Sequence, residues 1–583
     1  MPWRGAGSTV TAVHGGYGGS ATTRPPPLPA GGRGVRDVDR PASRCGEEGN
    51  AVGGVVASKR RNRGTGVRSV PRFVVALAGV AVLAAGCAVP SPNGEGAGDT
   101  APPATQPPQG AKGLDRYYTQ QVAWEGCGDA DADGGNAQCA WVEVPVDYEK
   151  PAEGTIKLRM LKVAASGSPQ GALLVNPGGP GGSAVEYARA ADLIVSPSVR
   201  RRFDVVGVDP RGVGESSPVQ CVDGPQMDAI MGLDPTPDDA KEREATRMSA
   251  KAFGEACEKK YPQLLPHLST VDAARDMDVV RAVLGQQKLS YLGKSYGTFL
   301  GATYAGLFPT RVGSMVLDGA IAPELSNDEL NLGQAVGFET ATRAYVKSCV
   351  SEGDCPLGSG VDEGMEGLRD LLAKIDEKPV PVTDDARVEE LTEGWASTGL
   401  ARALYDQASW EGLTDALRAA KEGDGDQLMQ LAREYADRDE TGAYHGNIMQ
   451  VISAINCLDR PAEAVDDAAM QARVEKFEKA SPTWGESMAM ATVSCEEWPV
   501  DPKTEPQKIS ASGSGPIVVV GTTRDPATPY EWAQKLASQL ENGHLVTFEG
   551  DGHTAYMRSN ACVDKAVDSY LLKGTVPKDG LTC

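Results

Sequence analysis

One stretch constrains this chain more than any other: Leu289-Ser290-Tyr291-Leu292-Gly293-Lys294-Ser295-Tyr296-Gly297-Thr298. An apolar run ends in Gly-x-Ser-x-Gly, and a helical pattern follows in Phe299, Leu300, Ala302, Thr303, Tyr304 and Ala305. That order predicts a strand, a sharp turn with a serine hydroxyl at its apex, and a helix. Glycines belong on both flanks because a Cβ there would crowd the strand and the helix, and the apex residue is itself strained. The helix behind Ser295 is expected to aim its amides and its positive dipole end at the reacting oxygen. An ordinary glycine-rich connection fits the same residues, so partners elsewhere in the chain must decide.

The chain has 583 residues, more than one ordinary domain, and a formal charge of −22, which argues against nucleic acid as a partner. Residues 1–58 are rich in Gly, Pro and Arg and low in hydrophobic periodicity, and read as a disordered or mis-started extension. Residues 59–86 read as a secretory signal: Lys59-Arg60-Arg61, an apolar run from Phe73 to Ala85, then Gly86 and Cys87. The run is too short to cross a bilayer, which takes ~20 residues. Cys87 after small residues fits a bacterial lipobox, which predicts lipidation at Cys87 and anchoring at the outer face of the cell membrane. Ala84 stands where that pattern has Leu, with Leu83 one position earlier, so a plain secretory signal is the alternative. Residues 87–112, with many Pro and Gly, read as a flexible stalk.

Beyond the leader lie Cys127, Cys139, Cys221, Cys257, Cys349, Cys355, Cys457, Cys495, Cys562 and Cys583. An even count behind an export signal predicts disulfides, with many connectivities open and bridges between sequence neighbours expected. Neither Cys-x-x-Cys nor a His/Cys cluster occurs, so no metal site is expected.

In residues 113–321 the alternation of Trp141 to Tyr148 and of Ile156 to Val163 predicts two antiparallel strands. Ala172-Leu173-Leu174-Val175 is a wholly apolar strand of the buried kind, and it runs into Asn176-Pro177-Gly178-Gly179-Pro180-Gly181-Gly182-Ser183. Two chemistries fit this loop. One is a dinucleotide fingerprint with Asp209 as the ribose acid; the other is an oxyanion loop whose backbone N–H groups face a developing negative charge. Strand–helix alternation continues through Phe203 to Asp209 and Val271 to Leu284 to the Ser295 turn and Val312 to Gly319, the pattern of a mostly parallel sheet. Residues 322–500 turn to helical periodicity and read as a lid inserted into the sheet domain. In residues 501–583 strands return at Pro516 to Asp525 and Leu545 to Phe548, followed by a helix from Ala561 to Leu572.

A serine nucleophile needs a base and an orienting acid. Of the five histidines, His14, His267, His445, His544 and His553, the last follows the final strand, at the sheet end where Ser295 opens. Asp525 ends the preceding strand; Asp551 and Glu549 are rival acids. The order Ser295, Asp525, His553 is that of an α/β-hydrolase fold, and these residues favour the oxyanion loop over a nucleotide site.

These residues resemble the exported tripeptidyl aminopeptidases of actinobacteria and the related mycobacterial lipoprotein serine hydrolases. The likeness spans about residues 115–583 and rests on Asn176-Pro177-Gly178-Gly179-Pro180-Gly181, Asp209-Pro210-Arg211-Gly212-Val213-Gly214, Ser295-Tyr296-Gly297-Thr298, Val316-Leu317-Asp318-Gly319, Cys495 with Trp498-Pro499, Asp525-Pro526-Ala527-Thr528-Pro529 and Gly552-His553. It implies an extracytoplasmic serine hydrolase without cofactor, an aminopeptidase releasing short N-terminal peptides from substrates with a free N-terminus, or alternatively a carboxylesterase; the rival from another class is a non-catalytic binding lipoprotein on a dead hydrolase fold, against which the intact triad speaks. It places the triad on Ser295, Asp525 and His553 and the oxyanion donors on the amides of Tyr296 and Gly179. It also implies lid carboxylates that grip the substrate amine, which it does not map onto this chain, because the region offers many acids, Glu324, Asp459, Glu496 and Glu497 among them.

Overall fold

The computed structural model describes residues 106–127 and 137–583. The extension, the signal, Cys87 and the stalk up to residue 105 lie outside the described residues. Twelve strands follow in chain order: β1 (Glu125–Gly126), β2 (Ala137–Pro145), β3 (Thr155–Val163), β4 (Gly171–Asn176), β5 (Phe203–Val208), β6 (Leu289–Lys294), β7 (Val312–Asp318), β8 (Val380–Pro381), β9 (Glu390–Leu391), β10 (Ile517–Arg524), β11 (Gly543–Asp551) and β12 (Leu581–Thr582). Ten of them form one sheet in the order β1-β2-β3-β5-β4-β6-β7-β10-β11-β12. The first three pairings are antiparallel, and from β5 to β12 every pairing is parallel.

The side-chain period of two explains the layering. Leu173 and Val175 of β4 point into one core with Val205, Leu292, Val316 and Val518, while Leu174 points into the other with Val206, Tyr291, Leu317 and Val519. Helices Ala184–Arg189 and Ala561–Lys573 cover the first face; helices Thr270–Val283, Tyr296–Leu307 and Tyr530–Gln539 cover the second. Both faces are therefore dry, which is why the central strands are continuous apolar runs and β2, next to the edge strand, alternates.

Between β7 and β10 the chain forms helices Asn327–Glu352, Val361–Glu377, Glu393–Leu404, Trp410–Glu422, Asp426–Ala436, Ile448–Asp459, Asp467–Ala480, Gly485–Met490 and Val493–Glu496, with a small β8–β9 ribbon. Most of this insertion packs around its own core of Trp395, Leu413, Leu417, Leu428 and Met429. It is tied to the sheet domain by polar contacts: Asn447 Nδ2 donates to Gly212 O at 2.8 Å and to Val219 O at 2.9 Å, and accepts at Oδ1 from Gly214 N. Ser295 precedes the insertion; Asp525 and His553 follow it.

Five disulfides join sequence neighbours: Cys127–Cys139, Cys221–Cys257, Cys349–Cys355, Cys457–Cys495 and Cys562–Cys583. Bridges in this number belong to a protein that folds in an oxidising compartment, hence to an exported one. No helix among the described residues is long and apolar enough to cross a membrane.

Candidate active site

Ser295 sits between β6 and helix Tyr296–Leu307 with φ 56° and ψ −127°, a conformation that a non-glycine residue rarely adopts. Two contacts hold it there. Its N–H donates to Asp318 O at 2.9 Å, and its carbonyl accepts from Thr298 Oγ1 at 2.6 Å. Gly293 is required because a Cβ on it would stand 2.3 Å from Gly297 O. The glycine loop after β4 presses against this turn: at Gly178, φ +99°, a Cβ would meet Lys294 O at 2.6 Å and Tyr296 N at 2.9 Å. Asn176 Oδ1 accepts from Gly178 N at 3.0 Å and fixes the loop's start.

Asp209 does not face a ligand. It is buried, and its carboxylate accepts from Ser183 Oγ at 2.7 Å, Val185 N at 3.0 Å and Glu215 N at 3.1 Å. Its work is to join the glycine loop to the following turn, so the nucleotide reading loses its ribose acid. Arg211 is likewise internal: it forks onto Asp276 at 2.7 and 2.8 Å and donates to Pro145 O, Val146 O and His267 O.

His553, on the loop after β11, places Nδ1 2.8 Å from Asp525 Oδ1 and 3.0 Å from Oδ2. Asp525 is buried and also accepts from Ala527 N, Thr528 N and Thr554 N. The rival acids are elsewhere: Asp551 is forked by Arg524, and Glu549 is exposed. Among the described residues no hydrogen-bond partner falls on His553 Nε2, although the atom is buried. His553 and Ser295 line one cavity of about 480 Å³, whose other walls include Gly179, Tyr405, Ile448 and Ile452. Of the other described histidines, His267 lies between Asp147 and Asp272, His445 pairs with Asp439, and His544 begins β11. Tyr296 N is the first amide of its helix, a donor without an intrahelical acceptor.

Sequence reasoning passed over a buried ion pair that binds these pieces together. Lys294 Nζ donates to Tyr556 O at 2.7 Å and lies 3.6 Å from Asp318 Oδ2. The Asp318 carboxylate, fully buried, accepts from Ala555 N and Tyr556 N at 2.9 Å. One aspartate thus grips the serine turn by its carbonyl and the histidine loop by its side chain. Burial pushes the Lys294 ammonium below its ordinary pKa, against the pull of Asp318. The available signal was a lysine inside an otherwise apolar strand.

The four lid acids line neither this cavity nor the one beside it. Asp459 accepts from Thr270 N and Oγ1, and burial pushes it up to about 6. Glu496 pairs with Arg473, Glu324 accepts from Gln539 Nε2 at 3.0 Å, and Glu497 is half-buried. A different trio stands at the insertion's edge: Asp234, Asp376 and Glu393 hold carboxylate oxygens within 4.8 Å of one another. Burial first, then the charges of Asp234 and Asp376, push Glu393 up to about 7. Asp234 is half-buried and lines the adjoining cavity, its Oδ2 without a partner.

Residues 171–360 match the model described as "alpha/beta hydrolase fold", and residues 481–583 match "TAP-like protein". Over 478 residues the chain is 36% identical to "Serine protease Hip1" of Mycobacterium tuberculosis, covering 80% of this chain and 91% of that one. It is 38% identical to "Carboxylesterase B" of the same species over 474 residues, 79% and 90% of the two chains. To "Tripeptidyl aminopeptidase" of Streptomyces lividans it is 34% identical over 461 residues, 76% and 83%.

Proposed function

The chain belongs to the α/β-hydrolase family of serine hydrolases that includes these proteases, carboxylesterases and tripeptidyl aminopeptidases, and from that membership we propose an extracytoplasmic aminopeptidase that releases short N-terminal peptides through Ser295, His553 and Asp525. The observation that carries the reading is the imidazole of His553, braced on Asp525 at 2.8 Å, with a free Nε2 on the cavity that Ser295 also lines.

Ser295 Oγ attacks the scissile carbonyl while His553 Nε2 takes its proton. The oxyanion of the tetrahedral intermediate is held by the amides of Tyr296 and Gly179. His553 then protonates the leaving amine, and the C–N bond breaks to give the acyl-enzyme. Water repeats the sequence, with His553 again as base, and frees the peptide. Asp525 fixes the tautomer and supports the imidazolium. For the substrate amine, Asp234 supports the reading better than the four lid acids, because it is the acid that lines the neighbouring cavity. Anchoring of the chain through Cys87 is part of the same proposal.

Ester hydrolysis by the same residues is the second reading, favoured by the 38% identity to a carboxylesterase and by the apolar Ile448, Ile452 and Met557 around Ser295. A side-by-side assay separates the two. Tripeptide anilides with a free amine, their N-blocked forms and short-chain esters are turned over by the same preparation. Faster cleavage of the free-amine anilides supports the aminopeptidase; equal rates on blocked and free peptides remove it.

A further inference from the structure

A second cavity, of about 380 Å³, adjoins the one holding Ser295 and His553, and Tyr435 and Met449 line both. Its walls are drawn from separate elements: Met227 and Met231 of helix Gly224–Met231, Phe253 of helix Ala240–Lys260, and Met488 and Met490 of helix Gly485–Met490. With Met449, five of the chain's 14 methionines surround this one space. A core built for a single packing uses branched side chains with few rotamers, whereas methionine is unbranched and polarisable and re-packs around guests of different outline. Methionines from three helices, gathered beside the cavity of Ser295, have the character of a binding wall.

We propose that this methionine-walled chamber is a subsite for the acyl part of the substrate and takes large apolar side chains of varied outline, unbranched or aromatic. The inference rests on the hydrolase reading above. In that reading the acyl part is a short peptide that ends at a free amine, while the leaving part is the remainder of a longer chain and must run out to solvent. A side chamber that adjoins the cavity of Ser295 without containing it fits the former. Asp234 is the one carboxylate residue in the same wall.

The test is a panel of free-amine tripeptide anilides that vary one position at a time among Ala, Val, norleucine and Phe, with a second panel that varies the leaving amine. At one acyl position, norleucine and Phe are expected to exceed Ala in kcat/KM by about 10–200-fold, the range that added methylenes give in an apolar pocket. Ser397, on helix Glu393–Leu404, lines the chamber and can be replaced by a large residue. Ser397→Phe should collapse the norleucine-to-Ala ratio by at least about tenfold. Met231→Ala should move the optimum the other way, toward a naphthyl side chain, which misfolding would not do. Flat acyl preferences in an enzyme whose Ser295 still reacts with a fluorophosphonate overturn the chamber alone, as does a ratio that changes only in the leaving-group panel. Failure of Ser295 to react overturns the chamber and the hydrolase reading together.

Discussion

Tyr405 O accepts the backbone N–H of His553 at 2.9 Å, and the Tyr405 ring stands edge-on to the imidazole with centroids 5.0 Å apart. Tyr405 is the C-cap of insertion helix Glu393–Leu404. The proposed base is therefore oriented by the helical insertion on one side and by Asp525 on the other. Tyr405→Ala is expected to lower kcat about tenfold, with a smaller change in KM, because the imidazole loses one wall while the substrate keeps its own. Tyr405→Phe should restore the rate, since the ring makes the contact. Steady-state kinetics of the two variants decide this.

Ser295→Ala should remove hydrolysis and fluorophosphonate labelling together. Asp525→Asn should leave the thermal melt near that of the parent and still reduce kcat by on the order of 10³–10⁴, through the wrong imidazole tautomer. A parent-like rate in either variant would remove the assigned roles.

Lys294 and Asp318 should behave as a pair. Lys294→Met alone strands a buried carboxylate and is expected to cost about 3–5 kcal/mol of stability. The double variant with Asp318→Asn should recover part of that loss. Asp318→Asn, which loosens the histidine loop, should reduce kcat more than KM. Urea titration of all four proteins gives the coupling energy, and a coupling near zero would show that the two residues act independently.

Glu393 makes stability depend on pH in a definite direction. Its pKa is raised to about 7 in the folded protein from an unfolded value near 4.5, so the folded state holds the proton more tightly. Stability from this group is fully present below about pH 4.5 and falls as the pH rises toward 7, where the unfolded chain has already released its proton. Glu393→Gln keeps a neutral group and the contact with Thr236, and should flatten this fall by on the order of a kcal/mol. Melts of both proteins between pH 5 and 8 check it. A variant that loses as much stability as the parent over that range would assign the pH dependence to another group.

The sheet was legible in the sequence because each central strand is a continuous apolar run with a breaker after it, and the parallel order follows from helices that alternate with those runs. The pairing of His553 with Asp525 was legible because a single histidine follows the last long apolar strand and an aspartate ends the strand before it. Helix Asn327–Glu352 is faint in the sequence for a physical reason. Its buried positions mix the small Ala335, Gly337 and Ala341 with Phe338, Tyr345 and Val346, so it carries little apolar periodicity. A Cβ at Gly337 would stand 2.5 Å from Pro526 O, next to the acid that braces His553. Helix Ile448–Asp459, which walls the cavity, reads as a short apolar run that a strand would share. The lid acids could not be ranked because carboxylates crowd the insertion, and which of them meets a cavity is settled by tertiary packing that spacing does not encode. Lys294 and Asp318 were quoted as parts of motifs, but their pairing depends on the register of β6 against β7, where they lie opposite each other.

Ser295 precedes the helical insertion in the chain, whereas Asp525 and His553 follow it, and that separation sets a timetable. A chain in the course of synthesis carries Ser295 long before it carries the His553–Asp525 pair. The serine turn cannot share a cavity with His553 until every helix in between has been made. Under the proposed mechanism, reactivity is thus the last property that the growing chain acquires.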